Sequence, residues 1–304
     1  MKVGNVRFKK SLIRPFLAAL ILSALLFQPR AQAEYAWCAQ KSERHDLCFY
    51  ALDVGEGDSS LFIFPNGQTM LIDAGPEDAG FKVVRYLKNR GVNKIDCLVA
   101  THPHSDHIGG MIAVLDKFEI GKVWDSGFVL GSKPQRDFYI EIKRRKIRFG
   151  RPKRGYAEKF GDVSVEVLAP AKEIKNSPSD ANNNSLVLLI TYGAVSFLMT
   201  GDMEAQERGT IWPPPKCTVL KAAHHGSRNG TDKSFLEATS PKIVILSYGK
   251  GNRYGHPHEE TVNAIAEMGI KRFDTAEGTL KFKTDGTKIT YRKDREVLPH
   301  EKQK

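Results

Sequence analysis

Cysteine is scarce in this sequence. Its 304 residues hold four, Cys38, Cys48, Cys97 and Cys217, and no two form a C-x-x-C pair. That excludes zinc-ribbon and thioredoxin-like arrangements, which need closely spaced thiols. No apolar run reaches the about 20 residues that cross a bilayer as a helix. Internal repeats are lacking, so a solenoid or a propeller is excluded. Glycine and proline, at 26 and 15 residues, show no periodic or low-complexity bias. The hydrophobic share of 41% suits a chain that builds a packed core, which argues against disorder.

What is present begins with a basic start. Lys2, Arg7, Lys9, Lys10 and Arg14 precede a 12-residue apolar run from Phe16 to Phe27, and Ala31-Gln32-Ala33 follows. A charged start, a short apolar centre and small residues at the end predict a secretory signal peptide over 1–33. The remainder, 34–304, then reads as a single domain of a periplasmic or secreted protein with no transmembrane segment. Removing six Lys and Arg lowers the formal charge from +11 to +5, which halves the net-charge argument for nucleic acid. A local signal remains in Lys143, Arg144, Arg145, Lys146, Arg148, Arg151, Lys153 and Arg154. Such a run is either a solvated face or a groove for a polyanion. In an exported chain Cys38 and Cys48 are expected to pair. For Cys97 and Cys217, buried thiols and a second bridge remain alternatives.

Strands are predicted at 50–54, 60–64, 69–73, 95–101 and 123–126, with Asn66-Gly67 as a hairpin turn. Helical spacing marks 80–90, 108–118 and 134–147. Further strands are predicted at 163–168, 186–191, 195–200, 218–223, 243–247, 279–283 and 288–292, with helices at 233–238 and 259–268. Strands interleaved with helices imply sheets covered by helices.

The strongest chemical signal is Thr101-His102-Pro103-His104-Ser105-Asp106-His107-Ile108-Gly109-Gly110, at the end of a predicted strand. Imidazole suits Zn, Mn or Fe, and a carboxylate adds charge and holds a water. Alternation lets His102 and His104 point the same way, and the turn brings Asp106 and His107 to a second position. Buried without a partner, such groups would be costly.

This string resembles the metal motif of the metallo-β-lactamase fold superfamily. Leu71-Ile72-Asp73-Ala74-Gly75 and Thr200-Gly201-Asp202 match neighbouring strand ends of that fold. Asp53-Val54-Gly55-Glu56-Gly57-Asp58-Ser59, Asn184-Ser185-Leu186 and Ala223-His224-His225-Gly226-Ser227 resemble the metallo-hydrolase domain of ComEC/Rec2-type competence proteins. The similarity runs from about Tyr50 to Arg292; Glu56 departs from the usual Gln of that branch. The resemblance implies an α+β fold, an αββα sandwich of two mixed sheets flanked by helices. It also implies one or two divalent ions, Zn or Mn. His102 and His104 would serve one ion, Asp106, His107 and His225 the other, and Asp202 would bridge them.

One ligand of the general pattern is missing, because no His occurs between His107 and His224. Asp180 or Asn184 is expected to supply oxygen there, which moves preference toward Mn. His224 is expected near the substrate oxyanion, with a metal-ligand or structural role as alternatives. Asp106 or Asp73 would orient the attacking water. Arg253, His256 and His258 would contact a phosphate or complete a metal site, His258 alternatively fixing a helix start. The function expected is a metal-dependent phosphodiesterase, a nuclease acting on DNA. Alternatives are a hydrolase of a small ester, lactone, β-lactam or phosphocholine substrate, and a binding protein without chemistry, since the fold does not choose.

Overall fold

The structure, a computed structural model, describes residues 46–294. The expected signal peptide and Cys38, and with it the expected Cys38–Cys48 link, lie outside these residues. The chain first lays down β1 (Leu47–Ala51), β2 (Ser60–Ile63), β3 (Thr69–Ile72), α1 (Gly80–Asn89), β4 (Lys94–Ile95) and β5 (Cys97–Ala100). Next come α2 (Ser105–Ile108), α3 (Met111–Lys117), β6 (Glu119–Ile120), β7 (Lys122–Asp125), α4 (Lys133–Arg144) and β8 (Arg148–Gly150). The second half forms β9 (Ala157–Phe160), β10 (Val163–Ala169), β11 (Val187–Tyr192), β12 (Val195–Met199), α5 (Ala205–Thr210) and β13 (Val219–Lys221). It ends with α6 (Lys233–Thr239), β14 (Ile243–Leu246), α7 (Glu259–Glu267), β15 (Lys271–Asp274), β16 (Leu280–Thr284) and β17 (Ile289–Lys293).

Two mixed sheets result, in the orders β17-β16-β1-β2-β3-β5-β7-β8 and β15-β14-β13-β12-β11-β10-β9. In each, an antiparallel part passes into a parallel part, at β3–β5 and at β12–β13. The sheets face each other across an aromatic core. Phe62 meets Phe197 edge-on at 5.5 Å, and Phe64 stacks on Phe160 at 4.7 Å. β10 shows why: Val163, Val165 and Val167 alternate with more accessible residues, so one face of the strand is buried. Each such aromatic contributes about 1.5–3 kcal/mol by leaving water. On the outer face of the second sheet, α6 and α7 cover Leu220, Val244 and Leu246 with Phe235, Leu236 and Ile265. On the other side α1 buries Val83, Val84 and Leu87, and its Tyr86 ring lies 5.9 Å from Tyr50 of β1. This is the expected αββα sandwich. Cys97 and Cys217 are both free and buried.

Two predicted helices differ in extent. The one predicted over 108–118 begins only at Met111, as α3, and Gly109-Gly110 separate it from the short α2 before it. A Cβ on Gly110 would stand 2.2 Å from the Ala74 carbonyl oxygen, so this close approach requires glycine. The one predicted over 134–147 ends as α4 at Arg144. Lys146 takes a left-handed φ of 55°, and the chain turns into β8. The basic run is thereby divided among a helix end, a turn and a strand.

Candidate metal centre

The site stands where both parallel parts end. Asp73 follows β3, His102–His107 follow β5, Asp202 follows β12, His225 follows β13, and His256 lies in the loop after β14. Ligands collect at carboxyl ends of parallel strands in such sheets. The two glycines at 109 and 110 let α2 dock against the β3 turn. There the Ala74 amide donates to the His107 carbonyl (2.8 Å), and the Asp58 amide to the Asp106 carbonyl (3.2 Å). Gly57 takes a φ of 137°, and a Cβ there would lie 2.2 Å from the Asp106 oxygen.

Four donors converge on one position. Asp106 Oδ2 lies 3.1 Å from His225 Nε2 and 3.7 Å from His107 Nε2. Asp202 Oδ2 lies 3.3 Å from His107 Nε2 and 3.4 Å from His225 Nε2. Donors sharing one ion at about 2.0–2.2 Å are separated by roughly 3.3–3.6 Å in a tetrahedron. Behind them the other ring nitrogens are held. His107 Nδ1 donates to Asp73 Oδ2 at 2.8 Å, and His225 Nδ1 to the Ser247 carbonyl at 2.8 Å. Those bonds fix tautomer and ring direction. His107 Nε2 is buried with no hydrogen-bond partner, as a group facing a cation would be.

A second set shares Asp202. His102 Nε2 stands 3.0 Å from His104 Nδ1 and 3.7 Å from Asp202 Oδ2, so the two imidazoles do turn the same way. His102, His104 and Asp202 form one grouping with metal-ligand reach; Asp58, His107, Asp202 and His225 form another. Asp58 faces the back nitrogens of His107 and His225, each at 3.8 Å, and it pairs with the Lys221 ammonium. Asp106 is therefore the better placed ligand of the two carboxylates.

Electrostatics separate the two sets. Burial, followed by the charge of His107, keeps His102 well below the usual histidine range, and burial lowers His104 as well. Both imidazoles are neutral and ready to bind. Burial opposes a charge on His107 and His225, yet Asp202 with its neighbouring carboxylates raises both, His225 to about 10. An ion entering this set displaces protons. Against the same burial penalty, the histidines hold Asp202 well below the carboxylate range.

His224 and His225 point apart, as neighbours at a strand end should. Each takes a left-handed φ, 49° and 54°. While His225 turns into the cluster, His224 Nδ1 donates to Glu204 Oε1 at 2.9 Å and its Nε2 stands 3.9 Å from Asp202. The left-handed pair costs about 1–2 kcal/mol per residue and aims two neighbouring rings at different tasks.

Several expectations are corrected. Asp73 does not reach the position of an attacking water. Its carboxylate accepts from the Thr101 amide (2.9 Å), the Thr101 hydroxyl (2.7 Å) and His107, so it orients a ligand. Asp180 is turned into its own loop, accepting from the Asn176 and Ser177 amides and the Ser177 hydroxyl. Asn184 is buried, with its amide tied to both backbone groups of Ile174 and to the Asp180 carbonyl. Neither supplies oxygen to the set of His102, His104 and Asp202, which stays lean in ligands. His258 stands just before α7 without a side-chain capping bond, and its Nδ1 accepts from the Arg228 amide at 3.1 Å, the loop-fixing alternative. His256 does line the site cleft, whereas Arg253 lies exposed at its rim. Asp58 and Lys221 were missed. Lys221 reads as an ordinary strand residue, but its buried ammonium meets Asp58, the Gly201 carbonyl (2.9 Å) and Asp202 (3.7 Å). Part of the basic run is tied up. Glu141 pairs with Arg144 and Arg145, Asp116 also pairs with Arg145, and Lys153 and Arg154 bond backbone carbonyls.

Residues 53–250 match the family model of the metallo-beta-lactamase superfamily. The chain belongs to that superfamily. It is 32% identical over 255 residues to ComE operon protein 3 of Bacillus subtilis (strain 168), covering 76% of this chain and 32% of that one. Against that relative it spans about a third of the length. It is 24% identical over 165 residues to exodeoxyribonuclease YycJ of Bacillus anthracis, covering 51% of this chain and 58% of that protein. Among solved structures, the metallo-beta-lactamase fold protein YhfI from Bacillus subtilis superposes with a TM-score of 0.51 at 12% identity, over 75% of this chain and 95% of that one. The superfamily fold implies divalent metal ions, and the residues here fit them. The spacing of the four donors and the orphaned His107 nitrogen are what an ion would require.

Proposed function

We propose that the protein is an exported, metal-dependent phosphodiesterase that hydrolyses DNA in the periplasm or outside the cell, its 34–304 segment acting as one domain. The observation that carries this reading is the pair of donor sets sharing Asp202 at the floor of an open cleft. His102, His104 and Asp202 would hold one ion, and Asp106, His107, His225 and Asp202 the other. Divalent ions there supply Lewis-acid polarisation of a phosphoryl oxygen and acidify water at neutral pH. Each set holds two imidazoles, which suit Zn; the three-donor set leaves more positions for water oxygens, which moves it toward Mn.

The chain's own residues do the rest. Asp106, partly accessible at the cleft, orients the attacking water. Glu204 accepts from His224 Nδ1 and holds the ring with Nε2 toward the cleft; with a second proton on Nε2, His224 donates to the phosphoryl or leaving oxygen. Lys221 and Asp58 form a buried pair that fixes Asp202 and keeps solvent from the back of the site. The nuclease relative supports DNA as substrate. The pairing of Arg144 and Arg145 with carboxylates within the basic run favours a second reading, a hydrolase of a small ester.

The test combines metal analysis by mass spectrometry with two substrates, labelled DNA and bis-p-nitrophenyl phosphate, in Mn and in Zn. Metal-dependent cleavage of both is expected. Full activity after chelation would sink the enzyme reading, and activity on the small ester alone would transfer it to the second reading. N-terminal sequencing of exported protein should begin at Glu34; a retained residue 1–33 segment would refute cleavage.

A further inference from the structure

Beside the metal ligands the cleft carries two large residues left open to water. Tyr254 is 52% and Leu130 46% exposed, and both line the same cavity of about 330 Å³ as His104, Asp106 and His225. The Tyr254 loop is built in advance. Asn252 Oδ1 accepts from the Tyr254 amide (3.1 Å) and the His256 amide (3.0 Å), and its Nδ2 donates to the Gly249 and His256 carbonyls. Planar groups then lead outward from the metal ligands. His225 and His256 are 5.6 Å apart, His256 and Tyr254 stack at 5.7 Å with planes 22° apart, and the Arg253 guanidinium stands 5.0 Å from the Tyr254 ring centre. Arg253 is exposed and bonds the Tyr254 hydroxyl (2.9 Å); among the described residues it has no ion pair with a carboxylate.

We propose that this rim holds one unpaired nucleotide beside the scissile phosphate, its base lying between Tyr254 and Leu130 and its next phosphate on Arg253. The protein would then select single-stranded DNA or frayed ends over duplex. This rests on the phosphodiesterase reading above and names its substrate class. An aromatic face takes any base, so stacking gives strand selectivity with little sequence preference. The cavity is at the small end of the roughly 300–1,000 Å³ usual for ligand pockets, a size that suits one nucleotide. The arginine fits the same reading. Arg144 and Arg145 are paired with carboxylates, whereas Arg253, next to the Tyr254 ring, has its fork available to a phosphate.

Three substrates test this on the metal-loaded protein: a labelled single strand, a blunt hairpin duplex and bis-p-nitrophenyl phosphate. Wild type should cleave the single strand faster than the duplex. Tyr254→Ala should raise KM for the single strand about ten-fold more than for the small diester, the usual range for losing one base stack. Tyr254→Phe should restore it. Anisotropy with a cleavage-resistant phosphorothioate strand should show a shallower log–log salt dependence for Arg253→Gln, by about 0.7. The proposal is overturned if duplex and single strand are cut equally, if Tyr254→Ala affects strand and small diester alike, or if phenylalanine fails to rescue. Wild type inactive on all three substrates would overturn the phosphodiesterase reading and this one with it. Wild type active on the small diester, with Tyr254→Ala indifferent on the strand, would overturn this inference alone.

Discussion

Asp106, His107 and His225 share Asp202 with His102 and His104, but the two sides are supported differently. On the first side every imidazole has a second bond behind it, to Asp73 or to the Ser247 carbonyl. Lys221 and Asp58 form a further charged layer there. On the second side His102 has the Thr101 hydroxyl behind it at 3.2 Å, and half-buried His104 has no such support among the described residues. The loop expected to supply another ligand, with Asp180 and Asn184, is bonded to itself. Supporting bonds raise ligand basicity and fix direction, so the two sides should differ in affinity. One ion should be held firmly and the other should come and go.

The largest effect should come from the shared residue. Asp202→Ala should remove both ions and lower hydrolysis at least about 10³-fold, as expected when a bridging ligand is lost. His104→Ala should instead remove only the weaker ion. Metal content measured by mass spectrometry should fall from two toward one per chain in that variant, and to near zero in Asp202→Ala. Equal retention in the two variants would erase the distinction between the sides.

A smaller effect tests the support behind the firm side. Asp73→Asn keeps an oxygen for the Thr101 amide but loses the acceptor for His107 Nδ1. Removing such a support should weaken metal affinity about 10–100-fold. Competition titration against a chelator measures it. An unchanged affinity would mean that Asp73 serves the turn only, through its left-handed φ of 57°.

Much of this was legible in the sequence. The histidine string, Asp202 and His225 are recognisable because each ends an apolar strand, and β10 and β5 announce themselves by alternation or by continuous apolar character. Other parts gave no such signal. β9 (Ala-Glu-Lys-Phe) and β15 (Lys-Arg-Phe-Asp) are polar edge strands, whose pairing comes from a neighbour and not from their own pattern. β4 and β6 have two residues each, too short for a period. Lys221 occupies a buried strand position where an apolar residue is the default. Its ion pair with Asp58 depends on two strand ends brought together only by the sandwich. Asp180 was misassigned because an acid in an Asn-rich loop reads equally as a ligand or as a turn residue. Three local hydrogen bonds decide for the turn.

The mildest expected effect concerns how the lean side is held. Ser185 Oγ accepts from the Asp202 amide at 3.2 Å, and the Ser185 amide in turn donates to Glu207 Oε2 at 3.0 Å. Burial raises the Glu207 carboxyl well above its ordinary value of 4.5, so the folded protein keeps that proton to higher pH than the unfolded chain does. In the unfolded chain the same carboxyl ionises near 4.5. Folding therefore binds a proton there, and the contribution, complete below pH 4.5, is lost as pH rises through the raised folded value. Glu207→Gln has the same shape and nothing to ionise. Its stability relative to wild type should improve from pH 4.5 upward, by at most about 1.4 kcal/mol per pH unit. Denaturant unfolding of chelator-treated protein at pH 4.5, 6 and 7.5 measures the difference with metal effects removed. A constant difference across that series would show that Glu207 is ionised in the folded protein, and that the loop facing the lean side is held by charge.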